Sequence, residues 1–186
     1  MAELPFPTPP LADEVVRLRA WRGTDVPAKL TAFSDPVVQR FSWSLTTPYT
    51  EADARGHFVE QQQARLRGEE LSVAVVDLEN EDIVLGGGSL YDVDLAQGRA
   101  AVGYWLAPEA RGRGVATRAV RLVAGWTFAE LGLARLELTC GPENVASQRV
   151  AERCGFVREG VLRSHIRFKG GRRDTVVFSL LPGELR

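Results

Sequence analysis

The chain has 186 residues, 45% of them hydrophobic and 25% charged, with a net charge of −1. That balance suits one soluble domain and excludes bulk attraction to nucleic acid or to an anionic membrane. No apolar run approaches the roughly 18–20 residues of a membrane span, and two cysteines with two histidines lack ligand spacing, so no metal is expected.

The opening "MAELPFPTPPLADE" is Pro-rich and acidic, without the basic and apolar regions of a secretory signal. Residues 1–12 are expected as an extended arm, residues 13–186 as a single domain, and the location as cytoplasmic. Cys140 and Cys154 fit buried free thiols of a reducing compartment. "VVRLRAW" alternates apolar and basic residues and predicts a first strand over 15–20. Thr24 can cap a helix through Phe33, and "SDPVVQRF" a second short one. Thr50 caps an amphipathic helix on which Ala54, Phe58 and Ala64 or Leu66 share a face, with Gly68 as its stop. "LSVAVVDL", "IVLGGGSLYDV" and "RAAVGYWL" are three strands joined by short turns, an antiparallel meander. Val115, Ala119, Leu122, Val123 and Trp126 then recur at helical spacing, predicting a helix over 113–130. "ARLELTC" is a strand. "ENVASQRVAERCGF" is a helix with Ala146, Val150, Ala151 and Cys154 on its apolar face, stopped by Gly155. "FVREGVL" and "DTVVFSLL" form a last pair of strands. This pattern is α+β (mixed α/β), not doubly wound.

The seam "RGRGVAT" between the third meander strand and its helix carries the clearest chemistry. The first turn of a helix exposes unpaired N–H groups at the positive end of the macrodipole. Gly112 and Gly114 lack Cβ atoms, so a diphosphate can approach the main chain. Ala116 keeps the next position small, Thr117 offers a hydroxyl, and Arg111 and Arg113 add charge. Neither a Walker loop nor a dinucleotide-binding fingerprint is present, because the required glycine and lysine spacings are missing.

"R-G-R-G-V-A" resembles the [Q/R]-x-x-G-x-[G/A] motif of the GNAT superfamily of acyl-CoA N-acyltransferases, with Arg111, Gly114 and Ala116 on the defining positions. Asn144, eleven residues before Gly155-Phe156, fits that superfamily too. "GYWLAPEARGRGVATRAV" and "ENVASQRVAERCGF" are similar to its Rim-type branch, the RimJ/RimL-like ribosomal-protein N-terminal acetyltransferases. The resemblance implies a central twisted mixed sheet of about seven strands with four or so helices. It implies acetyl-CoA, or another short acyl-CoA, as cosubstrate and a primary amine as acceptor: a protein N-terminus first, a small molecule as the alternative. A homodimer is possible in such a family. Backbone amides of residues 112–117, Val115 among them, would hold the pyrophosphate. The main chain of Tyr104, Trp105 and Leu106 would pair with the pantetheine arm, and the Leu106 amide would polarise the thioester carbonyl. Asn144 and Ser147 would contact the pantetheine and the sulfur end. The strands over 100–106 and 135–140 would splay to admit the acyl chain.

The expected acid and base positions are vacant. Many superfamily members carry a Tyr seven residues after the Asn; here Ala151 stands there, and Ser147 is the substitute that can hydrogen-bond the leaving thiolate. Some relatives carry a Glu five residues before the Asn, here Thr139, and the Glu of "AEIGYWL" is Ala101. Glu137, on the strand face of Thr139, is the first candidate base; Asp92, Asp94, His57 and His165 stay open. Trp43 and Tyr49, in a polar loop, are expected to line the acceptor pocket. These vacancies also keep open a non-catalytic acyl-CoA-binding module. Replacing Gly114 with a bulky β-branched residue is expected to weaken CoA binding with little loss of folding.

Overall fold

The computed structural model describes residues 3–42 and 48–186. Seven strands form one sheet in the order β1-β2-β3-β4-β5-β7-β6. They are β1 (Val16–Arg19), β2 (Leu71–Asp77), β3 (Val84–Asp94), β4 (Arg99–Leu106), β5 (Arg135–Cys140), β6 (Val157–Phe168) and β7 (Gly171–Leu180). β4 and β5 pair in parallel and every other neighbour is antiparallel, so the sheet is mixed. β2, β3 and β4 are the expected meander.

Among the described residues five α-helices flank it: α1 (Val26–Ser34), α2 (Pro36–Phe41), α3 (Glu51–Leu66), α4 (Val115–Glu130) and α5 (Val145–Cys154). α1 and α2 separate at Asp35, whose extended backbone (ψ 134°) is what a residue before proline favours. Thr50 and Asp53 close α3 with a reciprocal capping box. On its core-facing side Ala54 and Ala64 are buried, whereas Leu66 is exposed. α4 begins at Val115, two residues later than the spacing predicts, because Gly112 and Gly114 turn the chain at φ +74° and +79° first. Gly155, at φ +96°, ends α5, and a Cβ there would lie 2.2 Å from the Glu184 carbonyl oxygen.

Side-chain alternation along the strands builds two cores on opposite faces of the sheet. Val73, Val75, Leu90, Val102, Leu136 and Leu138 pack with the apolar stripe of α4 and with Cys154 of α5. On the other face, Ala74, Val76 and Val84 meet Trp21 and Trp105 beside a cluster of Val26, Phe33, Tyr49 and Ala54. The N-terminal arm is extended but docked: Leu4 is fully buried in the larger core, and its amide bonds the Arg65 carbonyl at 3.1 Å. Cys140 and Cys154 are both free and buried.

Candidate active site

β4 and β5 stay in register only from Arg99↔Arg135 to Ala101↔Glu137, then part. β5 leans onto β7, while β4 keeps its ladder to β3 as far as Leu106. The expected splay of these two strands is therefore present. The Ala107 amide bonds the Leu85 carbonyl at 3.0 Å, which fixes the phase of the β3–β4 ladder. Antiparallel alternation then commits the Trp105 main chain to Gly87 and leaves the N–H and C=O of Tyr104 and Leu106 facing the opening. An added strand can thus pair at Tyr104 and Leu106, as expected, but not at Trp105. The Trp105 ring instead packs on the other face, 5.9 Å from Trp21 and 5.3 Å from Phe33.

The opening leads to the seam. Gly114 is the N-cap of α4, with no side chain capping the helix, so the amides of Val115, Ala116 and Thr117 lack intrahelical partners. A Cβ at Gly112 or Gly114 would meet nothing within 4 Å, so the space above this amide cluster is clear. The two arginines of the seam differ. Arg113 is exposed, with no ion pair recorded among the described residues. Arg111 bonds Asp35 at 2.5 Å and the Leu106 carbonyl at 3.3 Å. Asp35 also caps α2 through the amides of Val37 and Val38. The Arg111 side chain therefore ties the seam to α2, and its guanidinium holds the Asp35 carboxyl below the usual range.

At the far end of the opening Asn144 caps α5 by accepting from the Ser147 amide at 3.2 Å. The Tyr104 hydroxyl donates to Ser147 Oγ at 3.2 Å. Burial pushes the Tyr104 phenol up to about 12, so it keeps its proton throughout the physiological range. This side-chain contact went unread in the sequence, because the two residues are 43 positions apart. The Cys140 thiol lies beside Ser147 and is pushed up by burial.

A cavity of about 920 Å³ is lined by Tyr104, Leu106, Arg111, Asn144 and Ser147, without residues 112–117, and continues across the sheet beneath α1 and α3. Ser72, Ser89 and Gly103, in register across β2, β3 and β4, floor that extension. Its wall includes Lys29, His57 and Glu70. The run Gly86-Gly87-Gly88 was the available sequence signal for such close packing: a Cβ on Gly87 would lie 2.6 Å from Trp105 Nε1 and 2.8 Å from Trp21 Cζ2.

Other expected site residues lie elsewhere. Glu137 is absent from the described cavity lining; its carboxylate bonds Arg135 Nε at 2.9 Å. Tyr49 is also absent from that lining and stacks on Phe33 at 5.0 Å in the smaller core. Among the open base candidates, His57 and Asp92 line the cavity, whereas Asp94 and His165 do not. Trp43 lies outside the described residues. Among the described residues no group of three or more His, Cys, Asp or Glu could hold a metal, and no helix is long and apolar enough to cross a membrane.

A cluster of unpaired helix-start amides thus stands beside two strands that part. The chain belongs to the GNAT acetyltransferase family, whose domain matches residues 16–157, and it is an N-acetyltransferase. The Bacillus subtilis protein named "Probable N-acetyltransferase YjcK" is 31% identical over 144 residues, which cover 77% of this chain and 80% of that one. "Uncharacterized N-acetyltransferase p20" of Bacillus licheniformis is 29% identical, over 94% of this chain and 97% of its own. In fold, the chain is similar to Mycobacterium smegmatis RimJ in complex with CoA-disulfide, with a TM-score of 0.82 at 24% identity, covering 95% and 87% of the two chains.

Proposed function

We propose that the protein transfers acetyl from acetyl-CoA directly to a primary amine, in a ternary complex, with a protein N-terminus as the first acceptor class. The observation that carries this reading is the opening between β4 and β5. It runs from unpaired helix-start amides, past the N–H of Leu106, whose carbonyl accepts from Arg111, and the Tyr104 main chain, to Ser147. In this reading the amides of residues 112–117 hold the pyrophosphate, and Arg113 supplies charge at the rim. Tyr104 and Leu106 hold the pantetheine as a short strand, and Asn144 contacts it from α5. The Leu106 N–H stabilises the oxyanion as the amine nitrogen attacks the thioester carbon; such preorganised donors contribute about 3–4 kcal/mol. When the C–S bond breaks, Ser147 gives its hydroxyl proton to sulfur. Its Oγ already accepts from Tyr104, so its own proton is available to donate, with Cys140 Sγ beside it as a competing acceptor in the absence of the thioester.

Thiol release from acetyl-CoA across a panel of free-N-terminus peptides, polyamines and amino acids tests the reading. Ser147→Ala is expected to lower kcat by about 10²-fold with acetyl-CoA affinity retained. Binding of acetyl-CoA with no turnover on any amine would favour a non-catalytic module, and a covalent acetyl-enzyme on Cys140 or Cys154 would overturn direct transfer.

A further inference from the structure

One ionisable group on the acceptor side has no part in that scheme. Lys29 of α1 is 1% exposed yet lines the cavity. No hydrogen bond or ion pair is recorded for its Nζ among the described residues. The Nζ instead lies 5.3 Å from the Trp21 ring centre, 5.4 Å from Phe33 and 4.7 Å from Phe58. A buried amine without a direct ion pair is poor structural material, since a methionine would fill the same volume without desolvating a charge. Three aromatic faces around a nitrogen can, however, receive a cation when a proton arrives.

The neighbouring elements supply His57 and Glu60 from α3, Glu70 at the edge of β2, and Tyr91 and Asp92 from β3. Burial pulls Lys29 down to about 7, opposed by the field of Glu70. Burial and Lys29 together pull His57 down to about 4, so near neutral pH His57 is uncharged. Burial pushes the Glu70 carboxyl up, and Glu60 and Asp92 add to this. Around pH 7, Lys29 is thus balanced between its two protonation states. Glu137, the base expected from sequence, is held by Arg135 away from the cavity.

We propose that Lys29 is the proton acceptor for the amine substrate, a role that rests on the acetyl-transfer reading above. An acceptor arrives as an ammonium and cannot attack. It gives one proton to the lone pair of Lys29 Nζ and becomes a neutral amine. The resulting Lys29 ammonium is held by the three ring faces and the field of Glu70, then releases its proton to solvent through the cavity. As the C–N bond forms and the C–S bond breaks, the second proton of the attacking nitrogen replaces the one Ser147 has given to sulfur. Ammonium and thioester thereby become amide, thiol and one released proton.

The test is steady-state kinetics from pH 6 to 10 for wild type, Lys29→Met and Lys29→Arg, using the best acceptor of the amine panel, with acetyl-CoA affinity measured in parallel. Wild-type kcat/KM is expected to rise through an apparent pKa near 7. Lys29→Met should bind acetyl-CoA as before and lose about 10²-fold at pH 7. Its rising limb should move to the acceptor's own amine pKa, so that the deficit shrinks with pH. Lys29→Arg, permanently charged, should behave as Lys29→Met does. A constant deficit at every pH, or a fully active Lys29→Arg, would overturn the proposal. So would an intact mass showing acetyl on Lys29 itself, which would make it an acceptor. A wild type that releases no thiol with any amine would sink the acetyl-transfer reading as well, whereas an active wild type with an unmoved Lys29→Met limb refutes Lys29 alone.

Discussion

Gly114 carries a backbone requirement for folding and, in the proposed site, a part in CoA binding. Its φ of +79° lies in the left-handed region, which costs an L side chain about 1–2 kcal/mol. The expectation that a β-branched substitute there would leave folding nearly intact therefore needs correction: the space is open, but the backbone is not permissive. Gly114→Ala is expected to lower stability by about 1 kcal/mol and to weaken CoA binding. Chemical denaturation and calorimetric titration separate the two effects, and unchanged CoA affinity would count against the pyrophosphate assignment. Arg111 and Arg113 divide similarly. Both read as free charge in the sequence, yet the structure commits Arg111 to Asp35 and leaves Arg113 at the rim. A partner 76 positions away is not visible in a local motif.

At the scale of elements, β3 is thin where the aromatics packed on it are thick. Trp21 stacks on Phe58 at 4.9 Å and donates from Nε1 to Ser72 Oγ at 3.0 Å, which pins it against Trp105 above Gly87. Gly87→Ala is expected to cost about 1–3 kcal/mol by overpacking. The signature is a lower urea midpoint at constant m-value; a midpoint equal to wild type would mean that the two indoles move aside freely. The elements themselves were legible in the sequence: the meander, the α3 cap at Thr50 and the α5 stop at Gly155 follow from periodicity and turn chemistry. So were the helix-start amides and the Asn144 cap, because both are local in sequence. The part of the cavity beneath α1 and α3 was not. Lys29, Ser72, Ser89 and the Tyr104–Ser147 contact are brought together by pairing across the sheet and by packing of α1 and α3 on it, and "VPAKLTAF" alone reads as an ordinary helix.

At the scale of the whole molecule, Lys29 ties stability to pH. Its folded pKa is about 7 against an ordinary value of 10.5, so between these values the unfolded chain binds more protons than the folded one. Stability from this group therefore rises with pH across that window, and the full penalty applies at pH 7 and below. Lys29→Met removes a cost on the order of a few kcal/mol, less whatever the ring faces return to the charged form. Its Tm should exceed that of wild type at pH 6–7, with the gain fading toward pH 10. An equal Tm for the two proteins at pH 6 would show that the buried amine carries no penalty. A variant with higher stability and lower activity would be the trade expected of a functional group kept in an unfavourable place.

The parting of β4 from β5 has one more consequence. A sheet is normally finished when its last strand pairs, but here the Tyr104 rung and the Leu106 N–H remain open in the middle of the sheet, not at its edge. The two halves, β1 to β4 and β5 to β6, are joined by three registered pairs and the α4 crossover. A bound pantetheine would then act as a splint, completing the hydrogen-bond ladder and bracing one half against the other. Donor binding would close a structural gap as it loads the enzyme, so the acceptor would meet a wall made firm by the molecule whose acetyl group it is about to receive.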